Sequence, residues 1–217
     1  MNWTPRQVGH RATERCCDWW LGIRTRDYLP AQALSDDPDA AAYEAAPFPR
    51  LWRLLKHIPG DFRGRGFLDF GCGLGRVVFL AHRRGYFPVV GVEISAGLCA
   101  RARINLARTH ADVVQGNALD YRIASAVRIF FLFNPFRGTT LRSVINNIEA
   151  HADSVGDCLI AAMTLRHLEP LLQERPNIHR CFYYSSGDAY DLAIYQVGSP
   201  ALSQVHGAVP APGRAVG

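Results

Sequence analysis

The sequence predicts an α/β fold: a doubly wound, mostly parallel sheet that ends in an antiparallel hairpin and is preceded by a short helical arm. Three observations predict it. From residue 67 onward, short apolar runs alternate with helical patterns, the texture of parallel strands joined by crossover helices. One run, VRIFFLF at 127–133, is apolar at nearly every position, as a strand covered on both faces must be. Near the end, NIHRCFYYSS and AYDLAIYQV flank Gly187-Asp188, a pair that favours a reversal between antiparallel strands.

The elements follow in order. RATERCCDWW, with Cys16, Cys17, Trp19 and Trp20 set among charges, reads as a short amphipathic helix. YLPAQALSDDPDAAAYEAAPFP, broken by four prolines, reads as an irregular arm or lid. RLWRLLKHI has helical spacing and stops at Pro59-Gly60. FLDF is a short buried strand, GRVVFLAHRRG a helix closed by Gly85, and PVVGVE the second strand. SAGLCARARINLARTH is a helix with Ser95 as its cap, because a serine hydroxyl accepts from the free N–H groups of a first turn. ADVVQG is the third strand and VRIFFLF the fourth. GTTLRSVINNIEAHAD places Leu141, Val144, Ile145 and Ile148 on one helical stripe, and DCLIAAMTL is the fifth strand.

Size and composition bound the function. With 217 residues, 48% of them hydrophobic and 20% charged, the chain suits one globular unit: an arm over 1–60, a core domain over 61–198 and a loose Ala/Pro/Gly-rich tail over 199–217. The formal charge of +5 is carried by scattered arginines, with Lys56 the only lysine. No basic cluster with interleaved aromatics appears, which argues against a nucleic-acid partner. Six cysteines form no C-x-x-C pair and have no histidine at zinc spacing, so no metal is expected. No run reaches the roughly 20 apolar residues of a membrane span, and a reducing cytoplasm is the expected setting, for a monomer or a homodimer.

The chemistry concentrates in DFGCGLGR. In an open sheet the loop after the first strand faces the ligand crevice. Gly71, Gly73 and Gly75 let the backbone turn and approach a ligand closely. The position where a dinucleotide fingerprint needs its third glycine holds Arg76, and Asp69 would repel a pyrophosphate, so a nicotinamide dinucleotide fits poorly. A ligand with a zwitterionic amino acid and a sulfonium fits better, because Asp69 then attracts positive charge. Glu93, at the end of the second strand, can accept hydrogen bonds from both hydroxyls of a ribose. After the third strand, Asn117 and the Ala118 amide can border an adenine edge.

FLDFGCGLGR, GVEIS, QGNALDY and FFLFNPF together resemble a class I, seven-stranded S-adenosylmethionine-dependent methyltransferase with its Rossmann-like sheet, over residues 60 to 197. GIRTRDY in the arm is similar to the GI-x-T and tyrosine of a group of small bacterial methyltransferases. The resemblance implies that Asp69, Gly71, Gly73 and Gly75 bind the methionine part of S-adenosyl-L-methionine, Glu93 the ribose, and Asn117 with Ala118 the adenine. Many relatives carry Asp where this chain has Asn117, a swap that removes a charge and keeps an acceptor.

Methyl transfer from a sulfonium needs alignment of the nucleophile and exclusion of water more than activation of the donor. The loop after the fourth strand, FNPF, is the expected acceptor side. Asn134 resembles the first residue of the N-P-P-Y motif of nitrogen methyltransferases, although Phe136 follows Pro135 directly and the second proline is missing. Asn134-Pro135 reads equally as a strand-ending turn, and Phe136 as an acceptor wall or as core. Tyr28 and Tyr43 are expected either to fold over the cofactor and donate phenolic hydrogen bonds or to anchor the arm by packing. His167 is a candidate proton acceptor, or a surface histidine at a helix start. Arg76 is expected to pack or pair across the first helix, and Cys72 to need only to be small. The acceptor is a nitrogen or oxygen of a protein side chain or a small metabolite. The alternative function is a donor-binding module without transfer activity that acts through its arm.

Overall fold

The computed structural model describes residues 5–27, 42–185, 187 and 190–198. The expected elements form in the expected order. An arm helix, α1 (Pro5–Leu21), and α2 (Phe48–Lys56) lead through a single 3-10 turn at Gly60–Phe62 to β1 (Gly66–Phe70). There follow α3 (Arg76–Arg83), β2 (Val89–Glu93), α4 (Ala96–Leu106), β3 (Asp112–Gln115), β4 (Val127–Phe133), α5 (Gly138–Val155) and β5 (Cys158–Met163). A short α6 (Leu168–Gln173) precedes β6 (Ile178–Tyr184) and β7 (Leu192–Val197). Ser95 caps α4 as expected, its Oγ accepting from the Leu98 N–H at 3.4 Å.

The sheet has seven strands in the order β3-β2-β1-β4-β5-β7-β6, and β7 alone runs against the others. It is the Rossmann-like sheet expected from the alternation of strands and helices. Alternation along each strand sends side chains to two separate cores. Phe67, Ile129, Phe131 and Ile194 pack under α2, α3 and α4, while Leu68, Phe130, Ile160 and Ala193 pack under α5 and α6. The stripe Leu141, Val144, Ile145 and Ile148 of α5 is buried as its spacing requires. Every residue of β1, β5 and β7 is buried, which is why those segments are mostly apolar rather than alternating, with Asp69 in β1 and Gln196 in β7 as buried polar exceptions.

Two consequences position the site. Strand order turns back between β1 and β4, and this opens a crevice beyond their carboxyl ends. Because β7 is antiparallel to β5, its first residue, Leu192, pairs with the last of β5, Met163. The segment entering β7 therefore arrives at the same rim as the ends of β4 and β5. Gly187 lies in the β6–β7 connection with φ 74°, and Asp188 lies outside the described residues.

Candidate functional site

A cleft open to solvent lies at the carboxyl ends of β1 to β4. Its floor begins at the glycine loop. Gly71 donates its N–H to Val92 O at 2.8 Å, and Cys72 donates to the same carbonyl at 3.1 Å, so the loop is fastened to β2. Gly71 has φ 76°, and a Cβ there would overlap Pro135, which ties the loop after β1 to the loop after β4 at the switch point. Gly73 has φ 53°, and a Cβ there would overlap the ring of Tyr43. Glycine is required at both positions, by backbone conformation and by space. The small side chain of Cys72 sits against Gly91, consistent with the expectation that the position needs only to be small.

Glu93 is 6% exposed and lines the cleft. Its Oε2 accepts from the Gly73 N–H at 3.0 Å and its Oε1 from the Ser95 N–H at 2.9 Å. Burial pushes its pKa up, and the N–H groups of Ser95, Gly73 and Ile94 pull partly back. Asp69 lies behind it, 2% exposed, with Oδ2 lacking any hydrogen-bond partner. Burial drives the Asp69 pKa well above the ordinary carboxylate range, and the charge of Glu93 adds to the shift. Asn117 and Ala118 line the far wall, where Asn117 Oδ1 accepts from the Leu119 N–H at 3.0 Å in a turn of its own. Ile94 and Leu98 supply apolar surface beside them. Among its described lining the cleft carries the carboxylates of Glu93 and Glu44 and no basic side chain.

These features fit S-adenosyl-L-methionine. An orphaned, buried carboxylate oxygen at Asp69 and a raised acid at Glu93 both gain from a cationic ligand, and two glycines whose Cβ positions are filled leave bare backbone on the loop. Of the residues expected to hold the donor, Gly71, Glu93, Asn117 and Ala118 line the cleft, whereas Asp69 lies behind Glu93, Gly73 packs under the Tyr43 ring and Gly75 packs against Ala102 and Leu106.

The acceptor candidates separate. Asn134 and Pro135 line the same cleft, and Asn134 has φ 44° immediately before a proline, a sparsely populated conformation that asparagine tolerates better than most residues. Phe136 reaches the cleft with its edge, yet it is 8% exposed and packs edge-on to Phe70 at 6.5 Å, so it is chiefly core. His167 is exposed at the N-cap of α6 and borders a neighbouring cavity that shares Asn134 with the cleft. Tyr28 lies outside the described residues. Tyr43 is open to two readings, a cover over the cofactor or an anchor of the arm. Its phenol donates to Thr25 O at 2.8 Å, which commits the hydroxyl to the arm, while the ring rests on the glycine loop as part of the cleft wall.

Arg76 explains how the arm is held. It is 2% exposed, and its guanidinium reaches Glu14 and Asp18 of α1, Ala46 O at 2.7 Å and Thr25 Oγ1 at 2.7 Å, over the ring of Phe48 at 3.9 Å. Thr25 in turn donates to Asp18 Oδ1 at 2.7 Å. Asn105 bridges Arg24 O and Leu74 O through its Nδ2, at 3.2 and 2.8 Å. The arm then crosses the cleft at residues 42–44, from the ring of Tyr43 on Gly73 to Glu44, which accepts a hydrogen bond from Tyr190 beside β7. The sequence leads one to expect Arg76 to pack or pair but does not name its partners. GIRT was the only local signal, and Glu14, Asp18 and Arg76 are brought together across more than fifty residues.

With this geometry in view, the chain can be set beside known proteins. Residues 67–156 match the family described as Methyltransferase domain. A ribosomal protein L11 methyltransferase from Burkholderia lata is 43% identical over 97 residues, covering 41% of this chain and 32% of that protein. Another from Burkholderia vietnamiensis is 43% identical over 53 residues, 24% of this chain and 18% of that one, so the chain spans less than a third of the length of these curated relatives. Among solved structures, a ribosomal protein L11 methylase from Lactobacillus delbrueckii subsp. bulgaricus superposes with a TM-score of 0.52 at 14% identity, over 69% of this chain and 77% of that one. An RNA methyltransferase from Salinibacter ruber in complex with S-adenosyl-L-homocysteine gives 0.52 at 16%, over 70% and 92%. Residues 67–156 thus match a methyltransferase domain, and the strand order is that of the class I S-adenosylmethionine-dependent methyltransferase fold.

Proposed function

We propose that this protein transfers the methyl group of S-adenosyl-L-methionine to a nitrogen or oxygen of a protein side chain or small metabolite. The observation that carries the reading is the donor cleft: raised carboxylates at Asp69 and Glu93, two obligate glycines in the loop, and no basic side chain in the described lining. When bound, the sulfonium supplies an already activated methyl group. The chain's own residues then orient and seal. Glu93 grips the ribose, Asn117 and the Ala118 amide edge the adenine, and the Tyr43 ring covers the glycine loop, so that the arm serves as a lid. Asn134 offers its side-chain and backbone carbonyls to the nucleophile, Pro135 and Phe136 wall the acceptor, and His167 takes up the proton released. The partial likeness to ribosomal protein L11 methyltransferases favours a protein acceptor. A reducing cytoplasmic setting accords with six unpaired cysteines.

Calorimetry tests the reading: the donor and S-adenosyl-L-homocysteine should both bind at micromolar concentration, and radiolabelled donor incubated with cell extract should label the acceptor. Absence of binding by both would remove the proposal. A second reading, a donor-binding module acting through protein contacts of its arm, is favoured by Trp19 and Trp20 of α1, 83% and 70% exposed. Binding without any turnover would select it.

A further inference from the structure

Beside the donor cleft lies a second cavity, about 1,020 Å³ of space open to solvent, bounded by Asn134, Thr164, Arg166, His167, Glu169 and Asp191 among others. Asn134 belongs to both. Two features mark this cavity as more than a surface dent. β4 and β5 pair at Phe133↔Met163, so Asn134 and Thr164 are the next residues of adjacent strands, and both have positive φ, 44° and 62°. For a β-branched threonine that conformation is an outlier costing on the order of 1–3 kcal/mol, a strain that concentrates at functional sites. Thr164 is held there by its N–H, which donates to Asp191 O at 2.9 Å. The second feature is the Asp191 side chain. Its residue is partly exposed on the cavity wall, while Oδ1 is shut off from solvent with no hydrogen-bond donor. A carboxylate with one oxygen left uncompensated gains when a cation approaches the part of it that faces the cavity.

The charges around it decide the sign of the ligand. Glu169 is already tied to Arg180. Arg166 is exposed at the rim, where water and salt screen it. Among the described residues Asp191 is therefore the acid in this cavity without a basic partner, and its main-chain carbonyl holds Thr164, which follows β5 as Asn134 follows the adjacent β4.

We propose that this cavity is the acceptor subsite and that it selects a protonated amine, with Asp191 holding the ammonium group so that the nitrogen lies at Asn134. The inference rests on the methyltransferase reading and narrows its acceptor to one chemical class. The ammonium loses one proton to His167, which passes it to solvent. The freed lone pair attacks the donor methyl, the new N–C bond forms as the S–C bond breaks, and the bonding pair of the latter stays on sulfur. The product is a methylammonium, a neutral thioether and one released proton, so charge and atoms balance.

The test uses the full chain with S-adenosyl-L-methionine and four probes: a lysine-containing pentapeptide with a free N-terminus, the same peptide with all amines acetylated, a phenol and a carboxylic acid. Calorimetry with the donor alone comes first. If the wild-type chain does not bind the donor, the methyltransferase reading fails and this inference falls with it. If the donor binds, methylation should be confined to the free-amine peptide. Asp191→Asn should raise KM for that peptide by roughly tenfold or more, the scale of a hydrogen bond to a charged group, and leave donor affinity within about threefold. Asp191→Glu, which restores the charge, should recover much of the loss. Donor binding with no amine methylated, preference for the phenol or acid, or an unchanged KM in Asp191→Asn would each overturn the assignment while leaving the donor reading intact.

Discussion

The two halves of the cleft are built in different ways. On the donor side, β1, β2 and β3 end one after another in Asp69-Phe70-Gly71, Glu93 and Asn117, each a few residues beyond or within its own strand. On the proposed acceptor side, in the neighbouring cavity that shares Asn134 with the cleft, Asn134, Thr164, His167 and Asp191 come from three separate connections that share a rim because β7 is inserted antiparallel beside β5. The donor side is also relaxed apart from its glycines, whereas the acceptor side holds two non-glycine residues at positive φ. The contrast has a chemical reason within the proposed reading: the donor is one invariant molecule that short motifs can cradle, while the acceptor must be placed by distant residues locked into position.

The largest effect tests whether the arm belongs to the donor half. Arg76→Ala leaves Glu14 buried without its cation and Asp18 with Arg26 alone, and should cost about 3–5 kcal/mol in a denaturant titration, with donor affinity falling as the arm loosens. A loss below about 1 kcal/mol would mean that the arm is held by something else. Next, Glu93→Ala should weaken donor binding roughly 10- to 100-fold, matching the about 1.5–3 kcal/mol of hydrogen bonds to a charged acceptor. The same variant should leave KM for the acceptor nearly unchanged, and a comparable loss on both sides would break the division between halves.

On the acceptor side, Asn134→Gly should relieve the strained φ and keep or raise stability by up to about 1 kcal/mol while lowering kcat roughly tenfold with little change in donor affinity. Loss of stability without loss of turnover would show the strain to be incidental.

Proton linkage gives a subtler separation. Because burial raises the Glu93 pKa above its ordinary 4.5, the free protein binds the proton more tightly than the unfolded chain does. That group's contribution to stability is therefore full below 4.5 and declines as pH rises through the raised value. A cationic donor favours the ionised form, so binding should release protons and weaken as pH falls through that value. Calorimetry in two buffers of different ionisation enthalpy measures the release, and affinity that grows on acidification would contradict the role of Glu93. The smallest effect concerns the adenine edge: Asn117→Asp, which keeps the turn acceptor and adds charge, should tighten donor binding by no more than about fivefold.

Much of the donor half was legible because its signals are local. FLDFGCGLGR carries strand, turn and helix start within ten residues, and Ser95 announces α4 directly after Glu93. Where single residues are open to two readings, only the structure shows their neighbours. Phe136 packs edge-on to Phe70 while still lining the cleft, and the Tyr43 hydroxyl donates to the main-chain carbonyl of Thr25. Asp191 carried no signal, since an acid before a strand is unremarkable until its strand is known to start at the rim where β5 ends.

What the sequence determined alone is what short-range sterics and periodicity can encode: which segments are strands, where a glycine must stand, and which acid closes β2. Tertiary structure decided the pairings over long separations, the Arg76 anchor of the arm and the gathering of Asn134, Thr164 and Asp191. Those depend on strand order and direction, and no window of neighbouring residues contains that information.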